Sequence, residues 1–360
     1  MDDLAHARAL CEQLGGTFCL TYLKGVGAAE ALRRLGGCPD TIRERSAGEL
    51  AEQRRSFDAG FPELAVALEV GSWSVVIEPG GFLGAGHPLL EAASRGTAAV
   101  SVSRRDSASA HFGYVVDGTT VTAFDPGYPA EETIWGSEPG MLRHLTDALG
   151  LRPQSDESEN TWQDAEARAI VLAQRITGSR LPAQPLLTPR VSAQLEPWFV
   201  TPAAGGDLLR ADRRVPFTAE LVAAAEAAGP GLRRAVAIAE VRRQAAVLGI
   251  ADTPGLAEAL ATGGPVAMES PLGRQVRDWL ATGRRAGRAV NVPHQGRMTD
   301  AERRHAFGLG WFLGALRGAL DADPRVALLA ALKPYTSGLP GLADSTARTA
   351  VLEALADQTR

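Results

Sequence analysis

The sequence predicts an α+β fold: a largely antiparallel sheet with flanking helices, followed by a helical bundle domain. Three observations predict it. Residues 1–150 alternate between β-rich runs and helical periodicity, whereas the remainder is almost wholly helical in pattern. Asp117-Gly118 stands between the β-rich runs 110–116 and 119–124, and this dipeptide supplies the positive φ that both central residues of a type I′ hairpin turn need. Leu64 to Val70 and Trp73 to Glu78 are separated only by Gly71-Ser72, again at hairpin spacing. Successive hairpins without crossover helices disfavour a doubly wound parallel nucleotide fold.

The elements follow in order. A helix is expected from Asp3 to Leu14, stopped by Gly15-Gly16, then a strand from Phe18 to Leu23 and a short helix from Ala28 to Leu35 stopped by Gly36-Gly37. After the first hairpin come a glycine-rich loop, a helix near His87 to Arg95 and strands over 97–103, 110–116 and 119–124. A helix over 139–149 leads into a polar surface loop, RPQSDESEN, and an amphipathic helix over 161–177 with Ala165, Ala169, Leu172, Ala173 and Ile176 on one stripe. Residues 1–178 therefore form the expected α+β domain. Several prolines and Gly205-Gly206 mark 179–216 as a linker, and 217–360 as an all-helical domain. Its helices are expected over 217–228, 231–248, 253–262, 270–282, 299–320 and 342–357, without a repeat period.

A chain of 360 residues suits two domains, and 45% apolar with 22% charged residues is a globular composition. The net charge of -5 argues against a general electrostatic grip on nucleic acid or an anionic membrane. Cys11, Cys19 and Cys38 are odd in number and form no CxxC pair, so neither a disulfide framework nor a cysteine zinc site is signalled. The opening MDDLAHARALCEQLGG has no basic n-region, and no run approaches the roughly 18 apolar residues of a membrane span. The expectation is a soluble cytoplasmic protein with no cofactor and no metal.

The loop Glu78-Pro79-Gly80-Gly81-Phe82-Leu83-Gly84-Ala85-Gly86-His87 has the strand, loop, helix order of a phosphate cradle, but its spacing fits neither GxGxxG nor GxxxxGK[ST]. A turn is the simpler reading, with Pro88 in the first helical turn and Trp73 and Phe82 as packing anchors. Glu78 could serve as a general acid or base if desolvated; the simpler expectation is a solvated strand-end carboxylate. Six histidines show no HxH or HExxH spacing, and GxSxG is absent. Arg104-Arg105, at a strand end, could clamp a carboxylate or phosphate, or form a solvated edge. The candidate ligand-binding set is Glu78, His87, Arg104 and Asp125, with His111 as a further histidine the sheet could bring to it.

Arg284, Arg285, Arg288 and Arg297 make a basic region suited to an acidic protein partner. Single-stranded nucleic acid is a lesser alternative, because no aromatic residue stands between Leu280 and Phe307. In the expected helix 299–320, Gly310, Gly314 and Gly318 share one face, which suits close packing in the bundle or a homodimer contact.

FCLTYLKGVGAAEALRRLGG at 18–37, GSWSVVIEPGGFLG at 71–84, TAAVSVSRR at 97–105, VTAFDP at 121–126 and IWG at 134–136 together resemble a bacterial domain family found mainly in high-G+C genomes, domain of unknown function 6461. The resemblance covers roughly residues 15–180. It implies a small α+β domain and no activity or catalytic residues. In that family's pattern the place of Gly80 is often asparagine and the later glycines vary, which speaks against a phosphate loop. The alanine-rich helices at 234–263 are similar to tails attached to several domains in such genomes.

The first expectation for function is thus a cytoplasmic recognition or regulatory protein that binds a protein or peptide. The alternative is an enzyme or small-molecule binder with a site between sheet loops and helical domain, which requires Glu78, His87, Arg104 and Asp125 to converge on one cleft.

Overall fold

The computed structural model describes residues 2–105, 110–151, 164–202, 216–291, 294–337 and 341–356. The chain divides into two units: Met1–Ser56 with Pro62–Thr201, and Phe57–Phe61 with Pro202–Arg360.

The first unit carries strands β1 (Phe18–Lys24), β2 (Arg43–Arg45), β3 (Leu64–Val70), β4 (Trp73–Pro79), β5 (Ala98–Arg104), β6 (His111–Val116), β7 (Thr119–Phe124) and β8 (Arg190–Gln194). They form one sheet in the order β2-β8-β3-β4-β1-β5-β6-β7, and every neighbouring pair is antiparallel. The hairpin at 117–118 is built as its sequence demands, with φ of 47° at Asp117 and 77° at Gly118. Strand β8 lies inside the stretch expected as a linker. Its five residues between prolines are too short for a periodic signal, and pairing with β2 and β3 supplies what local pattern does not. Gly205-Gly206 and the RPQSDESEN loop lie outside the described residues.

Helices α1 (Asp3–Leu14), α2 (Ala28–Arg34), α3 (Ala47–Arg55), α4 (His87–Ala93), α5 (Arg143–Ala148) and α6 (Ala165–Thr177) complete this unit. A capping box between Ser46 and Glu49 starts α3, which the sequence reading lacked. Strand alternation divides the helices between two faces. On one, Phe18, Leu20, Tyr22, Val75, Ile77, Val100 and Val102 pack under α1 and α6, with Trp73 buried as the expected anchor. On the other, Leu23, Val76, Ala99 and Val115 pack under α2 and α4 through Leu32, Leu89 and Leu90.

The second unit holds α7 (Pro216–Ala227), α8 (Pro230–Val247), α9 (Leu256–Thr262), α10 (Pro271–Arg288), α11 (Asp300–Ala319), α12 (Pro324–Ser337) and α13 (Ser345–Ala356). Helix α12 is one the periodicity did not announce. Residues Ala327 to Leu332 are all buried in succession, so no amphipathic stripe exists to be recognised. Among the described residues no helix is long and apolar enough to cross a membrane.

Candidate functional site

The second face of the sheet departs from apolar packing at one end. The register places Glu78 of β4 opposite Cys19 of β1, Cys19 opposite Ser103 of β5, and Ser103 opposite His111 of β6. Four polar or polarisable side chains thus form one row across four adjacent strands. Thr21 and Ser101 continue it on the same face, and Cys19 Sγ lies 3.4 Å from Ser101 Oγ and 3.6 Å from Thr21 Oγ1. Cys19, Thr21, Ser101 and Ser103 have no exposed surface.

Glu78 is not the solvated carboxylate that its place at a strand end suggested. It is 2% exposed, and its two oxygens accept the backbone N–H groups of Leu83 at 2.8 Å and Gly84 at 2.7 Å. Burial pushes its pKa up to about 7, against the lowering effect of those two hydrogen bonds and of Arg54; Glu63 adds to the rise. The glycine loop therefore folds back on its own strand-end carboxylate. A side chain at Gly84 would overlap Thr21 Oγ1, so only glycine lets the 3-10 turn Leu83–Ala85 sit on β1.

His87 opens α4 and places its ring edge-on to two others, 4.7 Å from His111 and 4.2 Å from Trp135 between centroids. Gly113, two residues beyond His111 on the same face, leaves room for the imidazole, since a Cβ there would stand 2.9 Å from His111 Nε2. Burial, then His87 and Arg105, drive the His111 pKa down to about 3. Burial also lowers that of His87, with Glu91 opposing. Both imidazoles are neutral at neutral pH. Arg105 lies over the Phe82 ring at 4.0 Å. Phe82 is 44% exposed and Trp135 43%, so Phe82 is a rim residue rather than the packing anchor its sequence context suggested.

The expected set Glu78, His87, Arg104 and Asp125 does not converge. Glu78 and His87 belong to the polar face. Alternation turns Arg104 to the opposite face, where its charge acts on Cys11 of α1, and Arg105 takes the position on the histidine side. Asp125 is occupied in a local turn, its Oδ1 accepting the Gly127 N–H at 2.8 Å. Among the described residues no group of three or more His, Cys, Asp or Glu side chains is placed to hold a metal.

The basic region expected to face a partner is engaged within the second unit. Arg284 donates to the Gly60 carbonyl and Arg285 to those of Phe57 and Asp58. Arg297 pairs with the Asp58 carboxylate at 2.8 Å and lies over the Phe57 ring, and Arg288 faces Phe61. These arginines hold the Phe57–Phe61 loop, a contact between residues over 200 positions apart in sequence that no local pattern announces. On α11, a Cβ at Gly318 would overlap Ala330 of α12, while Gly310 and Gly314 meet nothing within 4 Å. One of the three glycines thus serves close helix packing.

Cys19, Ser103 and Trp135 were not among the sequence-derived candidates, and Arg105 entered only as half of the Arg104-Arg105 pair. The VSVS alternation of β5 is the legible signal for Ser103; Cys19 depends on register and Trp135 on the bridge that ties it to Ala123. Residues 2–191, which contain the whole cluster, match the model of a family described as a family of unknown function (DUF6461). No curated protein and no solved structure matches the chain.

Proposed function

Because the chain belongs to the family of unknown function DUF6461, which lends it no activity, we propose from the site alone that it is a recognition protein. It binds a protein or peptide partner at the end of the sheet, through the surface formed by Phe82, Arg105, His87 and Trp135. The observation that carries this reading is the pairing of two exposed aromatic rings with a cation and an imidazole above a polar floor. Tryptophan and arginine are the residue types that dominate binding energy at interfaces, because each combines a large flat apolar surface with hydrogen-bonding capacity. Glu78 supports recognition over turnover, since both of its oxygens are committed to the loop backbone and its side chain is sealed from solvent.

The test compares wild-type protein with the double variant Phe82→Ala/Trp135→Ala as immobilised bait in native lysate. A specific partner retained by wild type and lost by an equally well folded double variant is the expected result. Retention of every partner by the variant, or turnover of a metabolite by the purified protein that depends on Glu78, defeats the proposal.

A further inference from the structure

Four buried polar atoms without a hydrogen-bond partner belong to one contiguous group: Ser103 Oγ, His111 Nε2, His87 Nδ1 and Arg105 Nε. Ser103 and His111 are direct cross-strand partners, His87 touches His111, and Arg105 lies two residues beyond Ser103, close enough for its charge to act on His111. Buried polar groups are ordinarily paired, so the concentration of unmet hydrogen-bonding capacity at one place indicates a ligand that supplies the other half. The chemistry of that ligand follows from the four atoms. A hydroxyl, two neutral imidazoles and a guanidinium can all donate, and the fixed positive charge of Arg105 opposes a cation. A carboxylate has two oxygens with roughly four lone-pair sites and no donor, which is the complement of this set. Phe82 and Trp135 abut the donors with exposed ring surface, which suits a flat apolar group beside the anion.

We propose that Arg105, Ser103, His111 and His87 form a carboxylate receptor, with Phe82 and Trp135 as walls that take an aromatic or apolar group joined to the carboxylate. The proposal rests on the recognition reading for its location and adds the chemical class of what is recognised. The donors are covered in the free protein, so binding requires the groups above them to shift. Burial keeps both imidazoles neutral and the Arg105 charge adds to this at His111; the negative charge of a bound carboxylate acts against both and favours proton uptake by His87 and His111. Glu91 of α4 is the other acid beside His87, and Glu78 of β4, with Glu63 and Arg54 beside it, gains its own proton as pH falls through about 7, which removes a negative charge from this face in the same direction. Affinity therefore strengthens as pH falls.

The probes are N-acetylphenylalanine, its uncharged amide and inorganic phosphate, titrated into the full chain while imidazole resonances and tryptophan fluorescence are read. N-acetylphenylalanine is expected to saturate, to move the His87 and His111 signals, and to bind roughly tenfold or more tighter than the amide, the difference that charge-assisted hydrogen bonds supply. Arg105→Gln, checked for unchanged thermal unfolding, is expected to abolish that preference, and Arg105→Lys to restore part of it. Equal binding of acid and amide overturns the proposal, as does a response to phosphate that exceeds the response to the acid, which reassigns the site to phosphate. Silence of both histidines towards all three probes also overturns it. If a partner lost by Phe82→Ala/Trp135→Ala is kept by Arg105→Gln, the recognition reading stands and the carboxylate receptor falls.

Discussion

The two faces of the sheet obey different rules although the same strands build both. Beneath α1 and α6, large apolar side chains such as Phe18, Leu20, Phe112 and Phe124 form the core. Beneath α2, α4 and the loop after β4, the same strands present Cys19, Thr21, Ser101, Ser103 and Glu78, all buried. Small polar residues let the loop backbone approach the sheet, and they leave hydrogen-bonding groups unmet. An unmet group also occurs on the apolar face, at the Tyr22 hydroxyl, but on the polar face four adjoin, and violations of this kind collect at sites of function.

The comparison is sharpest when residues of the two faces are removed in turn. Phe112→Ala, on the apolar face, opens a cavity where the ring packs on Phe124 at 4.9 Å, and should cost about 3–5 kcal/mol of stability by chemical denaturation. The polar face responds to pH instead. With the Glu78 pKa raised from its ordinary 4.5 to about 7, the folded protein holds a proton that the unfolded chain releases. Its contribution is full below about pH 4.5 and lost as pH rises through about 7, so stability should fall by about 3 kcal/mol across that window. In Glu78→Gln this component of the slope should vanish, and an unchanged slope would show that the carboxyl titrates normally. The smallest effect is expected at Ser103→Ala. Removing an unpartnered hydroxyl should leave stability within about 1 kcal/mol of wild type, or raise it. A loss as large as that of Phe112→Ala would make the two faces equivalent and remove the reason for placing a site on one of them.

Much of the sheet was legible in the sequence. The Asp117-Gly118 and Gly71-Ser72 turns, the strands beside them and the apolar stripe of α6 follow from local backbone preference and periodicity, which act within a few residues. Strand β8 and helix α12 were not legible, because one is too short to carry a period and the other is buried all round. The site divides in the same way. Glu78 and His87 were identifiable as polar residues in an unusual loop, whereas the choice between Arg104 and Arg105 depends on which face a single residue step selects.

Local chemistry alone was therefore enough to specify an antiparallel α+β unit and a helical unit, whereas the need for glycine at Gly84 is set by Thr21 of a distant strand. Tertiary structure decided that Glu78 is sealed by the loop it terminates, that Cys19, Ser103 and His111 stand in one row with it, and that Arg284, Arg285 and Arg297 hold the Phe57–Phe61 loop. The reason is physical. Turns and periodicities are set by neighbours in the chain, while register, burial and the partner of a charge are set by residues far away in sequence that only the folded chain brings near.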